Sequence, residues 1–197
     1  MTDIDPSDQK AILRRYLQRG RDAMVSKLDG ASEYDIRRPM TPTGTNLLGL
    51  VKHLANVEFE YFGPCFGRPS ADAIPFAEDD PNADMVAEAS ESREYIVGRY
   101  RKAWARADET ISSLPLDAPG RVPWWGPDGR DVTLQWILIH MATETHQHAG
   151  HADIVREMID GAAGRGKPGV NLPSTDPAWW QAYRERVERA AKEASAS

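Results

Sequence analysis

The sequence predicts an all-α protein: a four-helix up-down-down-up bundle with long loops, a small hairpin or turn near 121–132, and an additional C-terminal helix. Three observations carry this. Apolar residues recur at spacings of three and four through four separate stretches. Segments rich in proline and glycine divide them. A fifth stretch opens with Asp176-Pro177, a capping residue followed by proline at the first helical position.

Ser7 is placed to cap the first helix, which carries Ile12, Leu13, Tyr16, Leu17, Met24 and Leu28 and ends at Gly30. A loop with Pro39, Pro42 and Gly44 follows, and Thr45 or Asn46 caps a second helix through about Phe62. Its apolar face is Leu47, Leu50, Val51, Leu54, Val57 and Tyr61, with His53 at the edge. Gly63 and Pro64 stop that helix, and the long loop 67–82, containing Pro69, Pro75 and Pro81, is expected to border a site.

A third helix is expected to begin between 83 and 90 and reach Ser113, because Val97, Tyr100, Trp104, Ala107, Ile111 and Leu114 share one face. The segment VPWWGPDGRDVTL has turn chemistry at Pro127, Asp128 and Gly129. A fourth helix runs from about Thr133 to a glycine-rich loop, GAAGRGKPG, and the last covers WWQAYRERVERAAKEA. The 197 residues suit a single domain, with a core over about 7–160 and the C-terminal helix over about 176–195.

Composition excludes several roles. A net charge of −6 without a basic run leaves no surface able to neutralise a row of phosphates, so nucleic acid is not an expected partner. No apolar run approaches the roughly 20 residues of a membrane span, and the polar, acidic start MTDIDPSDQK is unlike a secretory leader. Together with the single cysteine, Cys65, this points to the cytoplasm. Cys65 has no neighbouring histidine in sequence and reads as an inert small hydrophobe. A serine-histidine-aspartate order, a phosphate-cradling loop and a nucleotide fingerprint are all lacking.

The chemistry concentrates in TLQWILIHMATETHQHAGHADIVREMID. Glu144, His148 and His151 fall in one helical column that continues as Ile137 and Met141 before it and Val155 and Met158 after it. Ionisable groups on an apolar seam carry a desolvation penalty unless paired or bound, and a metal ion is the simplest compensation. His53, brought in from the second helix, would complete two imidazoles and a carboxylate, the donor set of an open, catalytic type of site. His151 either joins this set or sits just outside it. A Glu-x-x-x-His spacing is also an ordinary surface pair, and a histidine at a helix edge is often a packing residue. These donors suit zinc, nickel and iron alike, with zinc the expected metal. Asn56 and Glu60, one and two turns from His53, are candidates to orient its ring. Tyr61, Trp124 and Trp125 either wall a pocket or cap the end of the bundle. His140 reads as a hydrogen-bonded residue near the helix start and His146 as a solvated one.

Two segments carry a resemblance. LLGLVKHLANVEFEYF with an upstream TPTGT, and HMATETHQHAGHADIVREMIDG after a tryptophan-rich turn, resemble the DinB/YfiT-like metal-binding bundle family over Leu13 to Asp160, in particular its branch known as a domain of unknown function. The resemblance implies the up-down-down-up order and a divalent metal held at His53, Glu144 and His148. Many relatives have histidine where Glu144 stands. The Glu-x-x-x-His version is similar to that of mycothiol-dependent maleylpyruvate isomerase relatives. By that resemblance the protein is expected to use a low-molecular-weight thiol, of mycothiol or bacillithiol type, for S-transfer or isomerisation of a small electrophile. A non-catalytic, stress-related metal-binding module and a metal-dependent hydrolase are the alternatives. Relatives often pair, so a homodimer is also expected.

Overall fold

The computed structural model describes residues 5–74, 80–163 and 171–196. Positions 75–79 of the expected site-bordering loop and 164–169 of the glycine-rich loop lie outside the described residues. The chain is mostly helical: α1 Gln9–Ser26, α2 Leu47–Phe62, α3 Arg93–Ser113, α4 Leu134–Asp160 and α5 Pro177–Ser195. Strands β1 Pro119–Val122 and β2 Arg130–Thr133 form one antiparallel hairpin, with Pro119 opposite Thr133 and Val122 opposite Arg130. Among the described residues, no helix is long and apolar enough to cross a membrane.

Helix starts follow capping chemistry. Asp8, not Ser7, caps α1, its carboxylate accepting from the Ala11 amide at 2.9 Å, while the Ser7 hydroxyl donates to Asp5. Asn46 caps α2 from an extended backbone, accepting from the Gly49 amide at 2.7 Å. Asp176 caps α5 as expected, and Thr133 caps α4. Gly161, at φ 74°, closes α4 in the left-handed conformation that glycine adopts without a Cβ clash.

Two boundaries differ from expectation. Helix α1 stops at Ser26, and a turn carries the chain to Gly30. Helix α3 starts only at Arg93, capped by Ser92, whereas Ala83–Met85 is a single 3-10 turn. The cause is competition for backbone carbonyls. Asn46 Nδ2 donates to the Met85 carbonyl and Lys52 Nζ to the Val86 carbonyl, so these acceptors serve α2 instead of a helical ladder.

Every residue of α2 is buried except His53 and Glu60. It packs against α3 and α4, and α1 packs against α4. Contacts at rising positions on both partners show α2 and α3 running in the same sense: Lys52 to Glu91, Asn56 to Arg99, Phe62 to Thr110. The same holds for α1 and α4, through Tyr16 to His146 and Lys27 to Asp153. Arg14 to Asp108 and Arg93 to Leu28 set α1 and α3 in opposite senses.

On α4 the buried line is Ile137, Met141, Thr145, Ala149, Ala152 and Val155. Glu144 and His148 lie on its flank instead of interrupting it, and Met158, expected on the seam, is 58% exposed. A straight helix drifts about 20° per heptad against a strict seven-residue repeat, which is enough to carry Met158 out of the core. No residue of α5 is buried.

Gly49 permits a close approach that the site depends on. A Cβ built there would stand 2.0 Å from the Met85 carbonyl oxygen, which is backbone and cannot rotate away. Gly49→Ala is therefore expected to lower stability by about 1–3 kcal/mol and to displace the turn that carries Asp84. Thermal unfolding of the variant checks this, and an unchanged midpoint would contradict the packing described.

Candidate metal centre

Helix α2 presents His53 at a gap in an otherwise buried surface, and α4 presents Glu144 and His148 one turn apart on the side facing it. His148 Nε2 lies 3.0 Å from Glu144 Oε1, and His53 Nε2 lies 3.7 Å from the same oxygen. The two imidazole rings are 5.1 Å apart at 75°. One donor atom from each residue falls within 4.8 Å of the other two. A first-row divalent ion with bonds of about 2.0–2.2 Å needs ligand atoms roughly 3–4 Å apart, so modest closure suffices. Two nitrogens and one oxygen, each on a side chain 14–26% exposed, leave one side open to solvent. The three residues could hold a divalent metal ion.

Asp84, which sequence reasoning passed over, sits behind His53. Its carboxylate is 2.8 Å from His53 Nδ1 and only 5% exposed. A carboxylate accepts, so Nδ1 donates to Asp84; the proton that Nε2 turns toward Glu144 in the metal-free protein is the one whose loss frees this nitrogen for a metal. The only sequence signal was an acidic residue two positions past the loop 67–82 that was expected to border a site.

Electrostatics are those of a preformed cation site. Burial opposes charge on His53, but the hydrogen bond to Asp84 and the nearby carboxylate of Glu144 outweigh it and lift the pKa to about 9. Hydrogen bonds from His148 and then His53 hold Glu144 far below the usual carboxylate range. The cluster thus favours positive charge, and its donors could hold a metal ion.

The remaining candidates separate. His151 is exposed, its Nδ1 3.4 Å from His148 Nδ1, and it stands outside the converging three. Asn56 is fully buried and spends its amide on the Ile74 backbone, at 2.7 and 3.0 Å, which pins the loop after α2 instead of orienting His53. Glu60 forms no hydrogen bond or ion pair among the described residues, and burial raises its pKa. The Tyr61 hydroxyl accepts from the indoles of Trp124 at 3.3 Å and Trp125 at 2.9 Å. The His140 ring packs 4.7 Å from Tyr61 and 4.9 Å from Trp125 and makes no hydrogen bond among the described residues, contrary to expectation. His146, expected to be solvated, lies 3.0 Å from the Tyr16 carbonyl of α1.

Cys65 is buried, and desolvation together with the neighbouring Glu60 charge pushes its thiol to about 12. Only about one molecule in ten thousand would carry the reactive thiolate at pH 8, against roughly a quarter for an ordinary cysteine. Labelling by a disulfide reagent at pH 8 is therefore expected to be about a thousandfold slower in the native protein than in denaturant. Comparable rates would contradict this.

A family model described as mycothiol-S-transferase matches residues 12–161, which take in α1 to α4, the hairpin and the three converging side chains. The chain belongs to the mycothiol-S-transferase family, a DinB-like family. No curated protein matches the chain. The mycothiol-S-transferase match ends at Gly161, so α5 lies beyond it.

Proposed function

We propose that this protein is a divalent-metal-dependent transferase that joins a low-molecular-weight thiol of mycothiol or bacillithiol type to a small electrophile. The carrying observation is that His53, Glu144 and His148, from two helices, converge with an open side while Asp84 fixes the tautomer of His53. The family match supports the thiol chemistry. The helix senses support an up-down-down-up four-helix bundle forming one domain, to which α5 is appended.

In this reading His53 Nε2, Glu144 and His148 hold the metal, with zinc the expected metal and nickel or iron also compatible. A bound divalent ion supplies the charge that lowers the pKa of a thiol near neutral pH. The protein's part is positional. Asp84 keeps the proton on Nδ1 of His53, Glu144 brings its negative charge to the open side, and Tyr61 anchors the tryptophan turn beside α2.

Elemental analysis of tag-free protein, followed by conjugation assays with mycothiol, bacillithiol and glutathione and a fluorogenic electrophile, tests the proposal. Turnover that needs both metal and thiol supports it. Metal retention without turnover on any thiol would mean a binding module, and ester or amide hydrolysis without thiol a hydrolase.

Asp84→Asn keeps the size of the side chain but removes the charge that fixes the ring. Metal affinity is expected to fall about 10–100-fold, measured by competition with a chromophoric chelator. Unchanged affinity would show that Asp84 does not position His53.

A further inference from the structure

The strip of α2 that carries His53 has one other unburied position, Glu60. Seven residues are nearly two full turns, so both side chains leave the helix on the same side, about 10 Å apart along its axis. Glu60 is half-buried yet forms no hydrogen bond or ion pair among the described residues. Beside it Tyr61 ties down the hairpin turn, and its hydroxyl occupies the N–H groups of both Trp124 and Trp125. Across from these, His140 stands one turn before Glu144 on α4, rests against Tyr61 and Trp125, and also makes no hydrogen bond among the described residues.

A surface of flat rings whose two indole N–H groups are already used thus adjoins a carboxylate and an imidazole that make no hydrogen bond among the described residues. An apolar ligand would use the rings and leave Glu60 desolvated and unpaired, an unfavourable outcome. A ring bearing several hydroxyls suits both features, because its C–H face packs on the aromatic faces while its O–H groups donate to carboxylate and imidazole. Mycothiol has such a part, since it joins an acylated cysteine to an amino sugar and a cyclitol.

We propose that Glu60, Tyr61, Trp124, Trp125 and His140 form the subsite for the polyhydroxylated end of the thiol, with Glu60 and His140 accepting its hydroxyls. The inference rests on the thiol-transferase reading for the reacting end of the same ligand. It assigns Glu60, which has no hydrogen-bond or ion-pair partner among the described residues, a role in selecting the thiol.

The test uses the full-length protein and the thiol-free amino sugar–cyclitol fragment of mycothiol, with the indole N–H NMR resonances as readout. Saturable shifts at Trp124 and Trp125, but not at Trp179 or Trp180, are expected. Glu60→Gln, whose thermal midpoint serves as the folding control, is expected to weaken binding about tenfold, and His140→Gln provides a second variant. Absence of saturable shifts, equal shifts with N-acetylcysteine, or undiminished binding by both variants would overturn the subsite. Fragment binding without turnover on any thiol would remove the transferase reading and leave the subsite standing. Equal KM for mycothiol and a sugar-free thiol would do the reverse.

Discussion

Alanine in place of His148 is expected to weaken metal binding by at least a hundredfold and to abolish metal-dependent turnover while the fold persists. The proposed site has three candidate ligands, two of them one turn apart on α4. If a divalent ion is bound with about 10 kcal/mol, loss of one ligand in three removes roughly 3 kcal/mol, which is more than a hundredfold. The fold should survive because His148 is not part of the buried line of α4. Chelator competition measures the first effect and circular dichroism the second; retention of metal at wild-type affinity would dismiss His148 as a ligand.

The same experiment run across pH reads His53. With its pKa raised to about 9, this imidazole is charged in the metal-free protein at pH 7 and must lose its proton to bind a metal. Affinity should therefore rise with pH, by up to about tenfold per unit, and level off near 9. The linkage has the opposite sign for the metal-free fold. A raised folded pKa gives stability that is fully present below the unfolded value of 6.5 and is lost as pH climbs through about 9. Affinity independent of pH between 6 and 8 would contradict both.

Arg21→Met is expected to destabilise the protein by about 3–5 kcal/mol, and pairing it with Glu58→Leu should restore most of the loss. Arg21 grips Glu58 through two bonds of 2.9 and 2.6 Å, and the side chains are 1% and 0% exposed. A further bond reaches Asp108, and the guanidinium lies over the Trp104 ring. Burial is the largest influence on both partners and works against charge on each. For Arg21 it is outweighed by Glu58 and Asp108, so its pKa stands above the ordinary value; for Glu58 it prevails, and the pKa is raised. The two tendencies conflict. The pair is ionised, because a guanidinium does not release its proton in any accessible range and both carboxylate oxygens accept from it.

Removing Arg21 leaves a carboxylate fully enclosed with nothing to neutralise it. Glu58 then binds a proton more tightly when folded, so the variant should be most stable at low pH and lose stability as pH rises through the elevated value. At 2–4 °C per kcal/mol, the single variant should melt about 6–20 °C lower near neutral pH. A smaller drop than that of the double variant would contradict this account.

Which parts of the molecule could be read beforehand follows from which forces are local. Helix α2 runs from Leu47 to Phe62 as its apolar spacing required, because that spacing and the Asn46 cap act within a few residues of one another. His53, Glu144 and His148 were legible as ligand candidates for the same reason: residue type and helical phase are local facts. Asp84 was not, since its value lies in a hydrogen bond to a residue 31 positions away. Nor was the late start of α3, decided when α2 side chains claimed the Met85 and Val86 carbonyls.

By itself, then, the sequence determined the helices, the caps of α2 and α5 and the chemical types on each face, because periodicity and capping are settled by near neighbours. Only the tertiary structure decided that Arg21 would meet Glu58, that Asp84 would fix His53, and that Met158 would face solvent and not the core. Buried polar groups must find partners wherever the packing brings them, and that pairing reaches across the chain, where no spacing rule applies.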